Sequence, residues 1–524
     1  TGHRADCSLI FKAMEDEMAH VCHELATRHN TVPLFVNYVL ERKHISETES
    51  SGGVCVNKRD SGIKNNIAAH IFLGDSLMTS DTGNELNAQS IPDEIGYGSI
   101  RNALRTKSEI AYQDAVQRLD YKRTQLKQNP KPADNAAVPE FKRMPPAVWI
   151  GPSALTNPCP VTDMEQLSNR LSKVFSSYPE LFNHCVKVYQ KRVDYYRLTS
   201  EGQKILQPDT VFHITARASI KTDGNEVKTE YYRLHVGGIN DLPSEDALIG
   251  ELHQFAQYMR QKSQAKAVED LYIGPVLYED DAAMELLAEK IADYSHSYWI
   301  SIRNQSDRKH RYLGKQVFPP ALSVCQLGND SVYNGVKLLG YRQVDADGTK
   351  PKTLPIIEKG ILKHMLTGRT PSLGCPASTG NEHFDGLSRT LETRYTAGVF
   401  RVTSNRPVPY SKLYKRFLKA AKKAGLEHTY IIRKNRTSPY ALIRVDLSTG
   451  KEELVEGNYN SPSREQFKRM HAISKEENVY NLDPAGGKGL GIISPKAILL
   501  EDMELDITPN HARHIDEAFY ELRH

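Results

Sequence analysis

Two pairs of side chains in this sequence could do chemistry. Cys375 and His383 share one Gly-, Pro- and Ser-rich run, the composition of a loop, and a thiol beside an imidazole can form a nucleophilic pair. Nothing near them in sequence supplies a third group to orient the imidazole, or an oxyanion hole, so the pair alone does not define a catalyst. His20 and His23 fall on one face of an amphipathic N-terminal helix, with Cys22 on its apolar side and Glu24 adjacent. Such a pair can hold a metal, but packing or surface pairing is the plainer reading on a helix of this kind. The run Gly486-Gly487-Lys488-Gly489-Leu490-Gly491 could present backbone N–H groups to an anion. It separates two strand-like stretches, so no helix N-terminus reinforces it, and it reads as a turn lining a cleft. Residues 299–315 are polar and basic, the pattern of a solvated insertion. The sequence contains no P-loop, no dinucleotide fingerprint and no G-x-S-x-G.

Positioning such groups takes a large scaffold. At 524 residues the chain exceeds one ordinary core, and an apolar share of 39% is enough to fill two. A net charge of +4 with a pI near 8.4 sets solubility and makes no case for nucleic acid. No run is long and apolar enough for a transmembrane helix. The chain starts at Thr1, which reads as a processed chain whose signal, if any, lay upstream. Seven scattered cysteines without a C-x-x-C read as ordinary thiols.

Periodicity predicts an α+β protein. A helix is expected over 9–25, capped by Asp6 or Ser8, then short strands at 34–40, 54–58 and 68–73, and a long helix over 95–126. The prolines at 130, 132, 139, 145 and 146 mark 129–146 as a linker or extended crossing rather than a packed element. A helix (164–175), three strands (186–198, 210–220, 228–236) and a helix (247–259) follow. Helix, three strands, helix thus occurs twice, which suggests a structural repeat. The polar junction 261–268 separates an N-terminal domain (1–265) from a C-terminal, mostly antiparallel β domain with short helices (271–506). A tail (507–524) carries His511 and His514. In the second domain a strand at 271–278 is expected to stop at Gly274-Pro275, before a helix over 281–292.

The most ordered stretch is 336–382. Strand-like runs flank the turn Asp345-Ala346-Asp347-Gly348, and Glu358-Lys359-Gly360 forms a second turn between apolar runs. Three consecutive antiparallel strands are expected, then a long surface loop. The ordered set Asp345, Gly348, Pro351, Leu354, Glu358, Gly360, Leu362, Lys363, Leu366, Arg369, Thr379, Gly380 and Asn381 resembles the TldD/PmbA family, zinc-dependent peptidases and their metal-free homologues. The resemblance covers 271–506 well and the N-terminal half loosely. It implies a cleft, lined by Arg369, Cys375, Thr379, Gly380, Asn381, His383, Gly486, Gly487 and Lys488.

Active members of that family hold zinc through H-E-x-x-x-H on the helix after the Gly-Pro strand, with a Cys near the C-terminus. Two His one turn apart share a metal and the Glu serves as base for its water. Here the resemblance puts Ala288 and Asp293 at the two His positions, Glu289 at the Glu and Gly486 at the Cys. It therefore implies a homologue without zinc or other cofactor. Such a protein would bind peptides or serve a proteolytic complex, as a homodimer or as partner of a zinc-bearing homologue. Two alternatives are an active metallopeptidase with non-standard ligands and an exported structural or binding protein. Relatives of this length with an added N-terminal helix tend to be exported, which favours that compartment over the cytoplasm.

Overall fold

The computed structural model describes residues 2–82, 88–131, 133, 138–222, 226–295, 309–370, 373–384, 391, 393–395, 397–482 and 489–508. The chain opens with helix α1 (Gly2–Arg28), which begins earlier than expected, so Asp6 and Ser8 lie inside it rather than at its cap. Strands β1 (Phe35–Ser51) and β2 (Val54–Phe72) then form a hairpin across Gly52-Gly53, both with positive φ. Next come β3 (Gln89–Ile91), α2 (Tyr97–Gln128), β4 (Ala147–Ile150), α3 (Val161–Ser172), β5 (Leu181–Thr199), β6 (Gln203–Lys221), β7 (Val227–Val236) and α4 (Glu245–Ser263).

All seven strands share one sheet, in the order β3-β2-β1-β5-β6, with β4 and β7 both on β6. The expected repeat is visible in this order. The units α1-β1-β2-β3-α2 and α3-β5-β6-β7-α4 meet through their first strands, β1 and β5, paired antiparallel from Asn37↔Thr199 to Ser50↔Val186. The sheet therefore reads third, second, first, first, second, third, as a two-fold axis between β1 and β5 would produce. Each unit packs its helices on the same face: Phe11, Met14, Ile100 and Leu104 over β1 and β2, and Met164, Leu171, Leu252 and Phe255 over β5 to β7.

Two expectations for this half need correction. The short strands at 34–40, 54–58 and 68–73 are fragments of strands of 17 and 19 residues. Their middles are polar, so no apolar alternation marks them. Ladder bonds and cross-strand ion pairs carry them instead, such as Lys187–Glu47 at 2.8 Å. Nor is the proline-rich stretch merely a linker. Phe141 is buried with its ring 5.3 Å from that of Phe35, and Glu140 lies buried 2.5 Å from Lys122 and 2.7 Å from Lys131.

The remaining strands are β8 (Lys266–Ala267), β9 (Asp270–Asp280), β10 (Leu322–Gln326), β11 (Val332–Tyr333), β12 (Val336–Lys337), β13 (Leu354–Glu358), β14 (Ile361–Leu362), β15 (Glu382–Phe384), β16 (Thr393–Tyr395), β17 (Val399–Ser404), β18 (His428–Asn435), β19 (Ser438–Asp446), β20 (Glu452–Glu456), β21 (Ala472–Ile473), β22 (Glu477–Leu482), β23 (Leu490–Pro495) and β24 (Ala497–Ile507). Helices α5 (Asp281–Ser295), α6 (Tyr410–Lys423) and α7 (Arg464–Lys468) interrupt them. One sheet runs β14-β13-β10-β17-β23-β22 and another β21-β24-β9-β18-β19-β20-β8. They share an apolar core with α5, built from residues such as Val276, Leu287, Ile291, Val324, Ile357, Ile492 and Leu500. Helix α6 covers the outer face of the second of these sheets through Leu413 and Phe417.

The three-strand reading of 336–366 reduces to one hairpin, β13–β14, because the run before Asp345 holds only the two-residue strand β12. Gly274-Pro275 does not stop its strand either. β9 continues through it, and β24 passes from Leu500↔Val276 to Met503↔Gly274 with an irregularity opposite Pro275. Proline has no N–H for the ladder, and a bulge accommodates it. Among the described residues no helix is long and apolar enough to cross a membrane.

Candidate functional site

The D-x-D-G turn is where the first sheet meets the rest of the chain. Asp345 Oδ1 accepts the N–H groups of Asp347 and Thr349, each at 2.9 Å, and its Oδ2 accepts that of Glu382 at 3.2 Å. This local bonding aims Asp347 at the first sheet. There Arg197 of β5 donates to Asp347 Oδ1 and to Ala346 O, both at 2.9 Å, and its Nε donates to Asn37 at 2.8 Å. Arg369 reaches the same carboxylate at 2.9 Å and donates to Gln203 at 3.1 Å and to Glu201 at 2.5 Å. Its guanidinium lies 4.4 Å from the Phe35 ring centre. Glu382 accepts the Arg369 N–H at 2.7 Å and the Thr393 hydroxyl at 2.6 Å.

Of the four buried carboxyls gathered here, Asp347 and Glu201 pair with the guanidiniums of Arg197 and Arg369, with Arg143 at the rim, 4.0 Å from Glu201. The imbalance shows in their acidities. Burial opposes ionisation of Asp347, but Arg197 and Arg369 outweigh it and hold its carboxyl down to about 2. Burial, then the Asp347 charge, pushes Glu382 up to about 7, and burial beside Asp347 and Glu382 raises Asp345 well above the carboxylate range. The cluster is a polar staple between the two halves of the chain.

Beside it opens a narrow pocket lined by Gln326, Gly328, Gly340, Tyr341, Arg342, Asn381 and His383. Asn381 and Gln326 exchange side-chain amide bonds at 2.7 and 3.0 Å. Arg342 is fixed by Asp209 of β6 at 2.6 Å. The backbones crowd here: a Cβ on Gly340 would lie 1.8 Å from Gly398 O, so no other residue fits.

The site residues named from sequence do not gather in one place. Asn381 and His383 line the pocket. Arg369 belongs to the staple. Thr379 was expected in a surface loop with few contacts, yet it is buried, accepts the Thr367 N–H at 2.8 Å and lies 2.9 Å from Thr367 O and 2.8 Å from Asn381 Oδ1. Gly380 is also buried, with φ of 76°. Cys375 packs in the apolar core, and burial pushes its thiol up, the opposite of what a thiolate nucleophile needs. Gly486, Gly487 and Lys488 lie outside the described residues, as do His511, His514 and 296–308 of the basic insertion. On α1, His20 pairs with Glu24 at 3.5 Å. Sequence reasoning missed Gln326 and Arg342, which no pattern marks. It also missed Asp347, Glu382, Glu201 and Arg197, although two aspartates before a glycine are a visible signal.

Helix α5 holds the positions where the family resemblance places a metal. Ala288 is 2% exposed, inside the apolar core. Glu289 lies 2.7 Å from Lys290 and accepts the Ser461 hydroxyl at 3.0 Å. Asp293 lies in the helix, and its side chain is outside the described residues. One turn back, Glu285 pairs with Lys434, and burial beside Glu285 pushes Asp281 up to about 7. The Tyr278 and Tyr459 hydroxyls are buried there without a hydrogen-bond partner. Ala288 offers no lone pair, so the described residues of this helix do not present the family's paired histidine ligands. Among the described residues no three His, Cys, Asp or Glu side chains gather as a metal-holding group.

Residues 273–407 match the family of the PmbA/TldA metallopeptidase C-terminal domain. No curated protein matches the chain by sequence. TldE from Thermococcus kodakarensis shares its fold with a TM-score of 0.59 at 10% identity, over 94% of this chain and 99% of that one. A Thermotoga maritima protein titled as a modulator of a DNA gyrase gives 0.58 at 13% identity, over 94% and 100%. A Bacteroides thetaiotaomicron protein with a like title gives 0.59 at 12%, over 94% and 98%. The chain thus resembles the TldD/PmbA family, with residues 273–407 matching the PmbA/TldA metallopeptidase C-terminal domain and a fold shared with TldE along nearly its whole length.

Proposed function

We propose that this chain is a TldD/PmbA-like protein without the family's zinc site, acting as a peptide-binding or partner subunit of a proteolytic complex. The observation that carries the reading is Ala288: a methyl group sealed in the core stands where a metal-binding imidazole is expected. Glu289, at the place of the general base, is held by Ser461 and Lys290 instead. The peptide-binding part of the reading rests on the family resemblance, since the crevice at Asn381 and His383 is walled by closely approaching backbone and has room for about one water. A zinc-bearing homologue would supply the chemistry this chain lacks.

Elemental analysis of the purified chain is expected to find no stoichiometric zinc. One tightly held zinc per chain would refute the reading.

Restoring the two histidines, Ala288→His with Asp293→His, is expected to yield no chelator-sensitive peptidase. The Cys equivalent is still Gly486, and the groups that would have to orient the new imidazoles are not tuned to that task. An imidazole forced into the Ala288 site also overpacks the core, at about 1–3 kcal/mol. The double variant should therefore melt below the wild type and stay inactive; robust proteolysis abolished by a chelator would overturn this.

A further inference from the structure

The net charge of the chain hides one strongly uneven surface. Helix α6 carries Lys412, Lys415, Arg416, Lys419, Lys422 and Lys423, six cations without an acidic residue in the helix. At 100° per residue they fall within an arc of about 120°, along roughly 16 Å of helix. All six are exposed. Among the described residues none makes an ion pair or a side-chain hydrogen bond. Some exposed lysines elsewhere are paired, Lys12 with Asp16, Lys58 with Glu165 and Lys64 with Asp93, and others such as Lys127 and Lys451 are not; what sets α6 apart is six cations on one face. Like charges three and four apart weaken a helix, so the bare stripe is a standing cost to stability.

We propose that the outer face of α6 binds a linear phosphodiester polyanion, a nucleic acid strand. The cations form a line one helix wide. Spacings of about 5–6 Å between i and i+4 side chains let the flexible lysines follow successive phosphates. A lipid surface fits less well. The apolar side of α6, Leu413, Phe417 and Ala421, is buried in the core and cannot enter a bilayer. With no exposed aromatic ring on the stripe to stack a base, binding is electrostatic and independent of sequence.

The test is anisotropy of a labelled oligothymidylate with the full chain as salt is raised. Four to six phosphate contacts give a slope of about −3 to −4 in log K against log salt, hence roughly 60- to 250-fold weaker binding at 200 than at 50 mM. Lys415→Glu/Lys419→Glu/Lys422→Glu is expected to abolish binding while melting no lower than the wild type. The corresponding triple Gln variant should flatten the slope by about 2, and the triple Arg variant should bind like the wild type. The proposal fails if the chain does not bind the oligonucleotide, if the Glu variant binds as well as the wild type, or if phosphatidylserine vesicles or polyglutamate bind more tightly than the oligonucleotide.

Discussion

Gly360→Val is expected to unfold the sheet built on β10, β13 and β17. Gly360 sits in the two-residue turn of the β13–β14 hairpin, where Lys359 has φ of 47° and Gly360 of 79°. Both values belong to the turn that matches the twist of paired strands, and a β-branched residue there costs about 1–3 kcal/mol in backbone strain. Space is lacking as well, since a Cβ would lie 2.4 Å from Phe318 O and 2.9 Å from Pro319 O. Those strands are pinned by Gly360 itself, whose N–H donates to Leu322 O at 2.8 Å and whose carbonyl accepts from Val317 and Phe318. Adding about 1–3 kcal/mol for overpacking, the loss is large against the stability of an ordinary domain. Thermal melts with limited proteolysis of 309–404 measure it. A variant melting within a degree or two of the wild type would show that this hairpin is not part of the core.

The second large effect is expected at Asp347. Asp347→Leu leaves Arg197 and Arg369 buried without their shared carboxylate, and removing one partner of a buried ion pair costs about 3–5 kcal/mol. The loss should appear in a melt of the whole chain, because the staple joins β5 and β6 to the turn at 345–349. The same cluster sets a pH dependence. Asp347 is more acidic folded than unfolded, so its contribution is complete above pH 4 or so and fades as pH falls toward about 2. Glu382 shifts the other way: the folded state favours its protonated form, so its contribution is complete below the ordinary carboxylate range and is lost as pH rises through about 7. Glu382→Gln should therefore lessen the fall in melting temperature between pH 5 and 8 that the wild type shows, the remainder belonging to Asp281 and Asp345, which shift the same way. Equal slopes for the two proteins would sink the assignment.

Patterning within a short window determined much of this protein. Apolar spacing located the helices of both halves, because one buried face imposes its period wherever it packs. The succession of helix, three strands and helix, twice over, foreshadowed the two-fold sheet. The turn at Gly360 was legible because a tight turn needs a residue that accepts positive φ. The family resemblance was carried by the same stretch.

Only the tertiary structure decided the rest. The polar middles of β1 and β2 are strands because neighbours pair them on both sides, and no local preference records that. Phe141 looked like part of a linker until Phe35 and Phe72 gave it a pocket. Asp345 and Asp347 looked like an exposed turn, and Thr379 to His383 like an exposed loop. The first sheet closes over them, so that Arg197, far away in sequence, becomes the partner of Asp347, and Glu201 and Gln203 become those of Arg369. A buried charge has to be satisfied by whichever group the fold brings within about 3 Å, and the identity of that group is a property of the assembled chain rather than of any window along it.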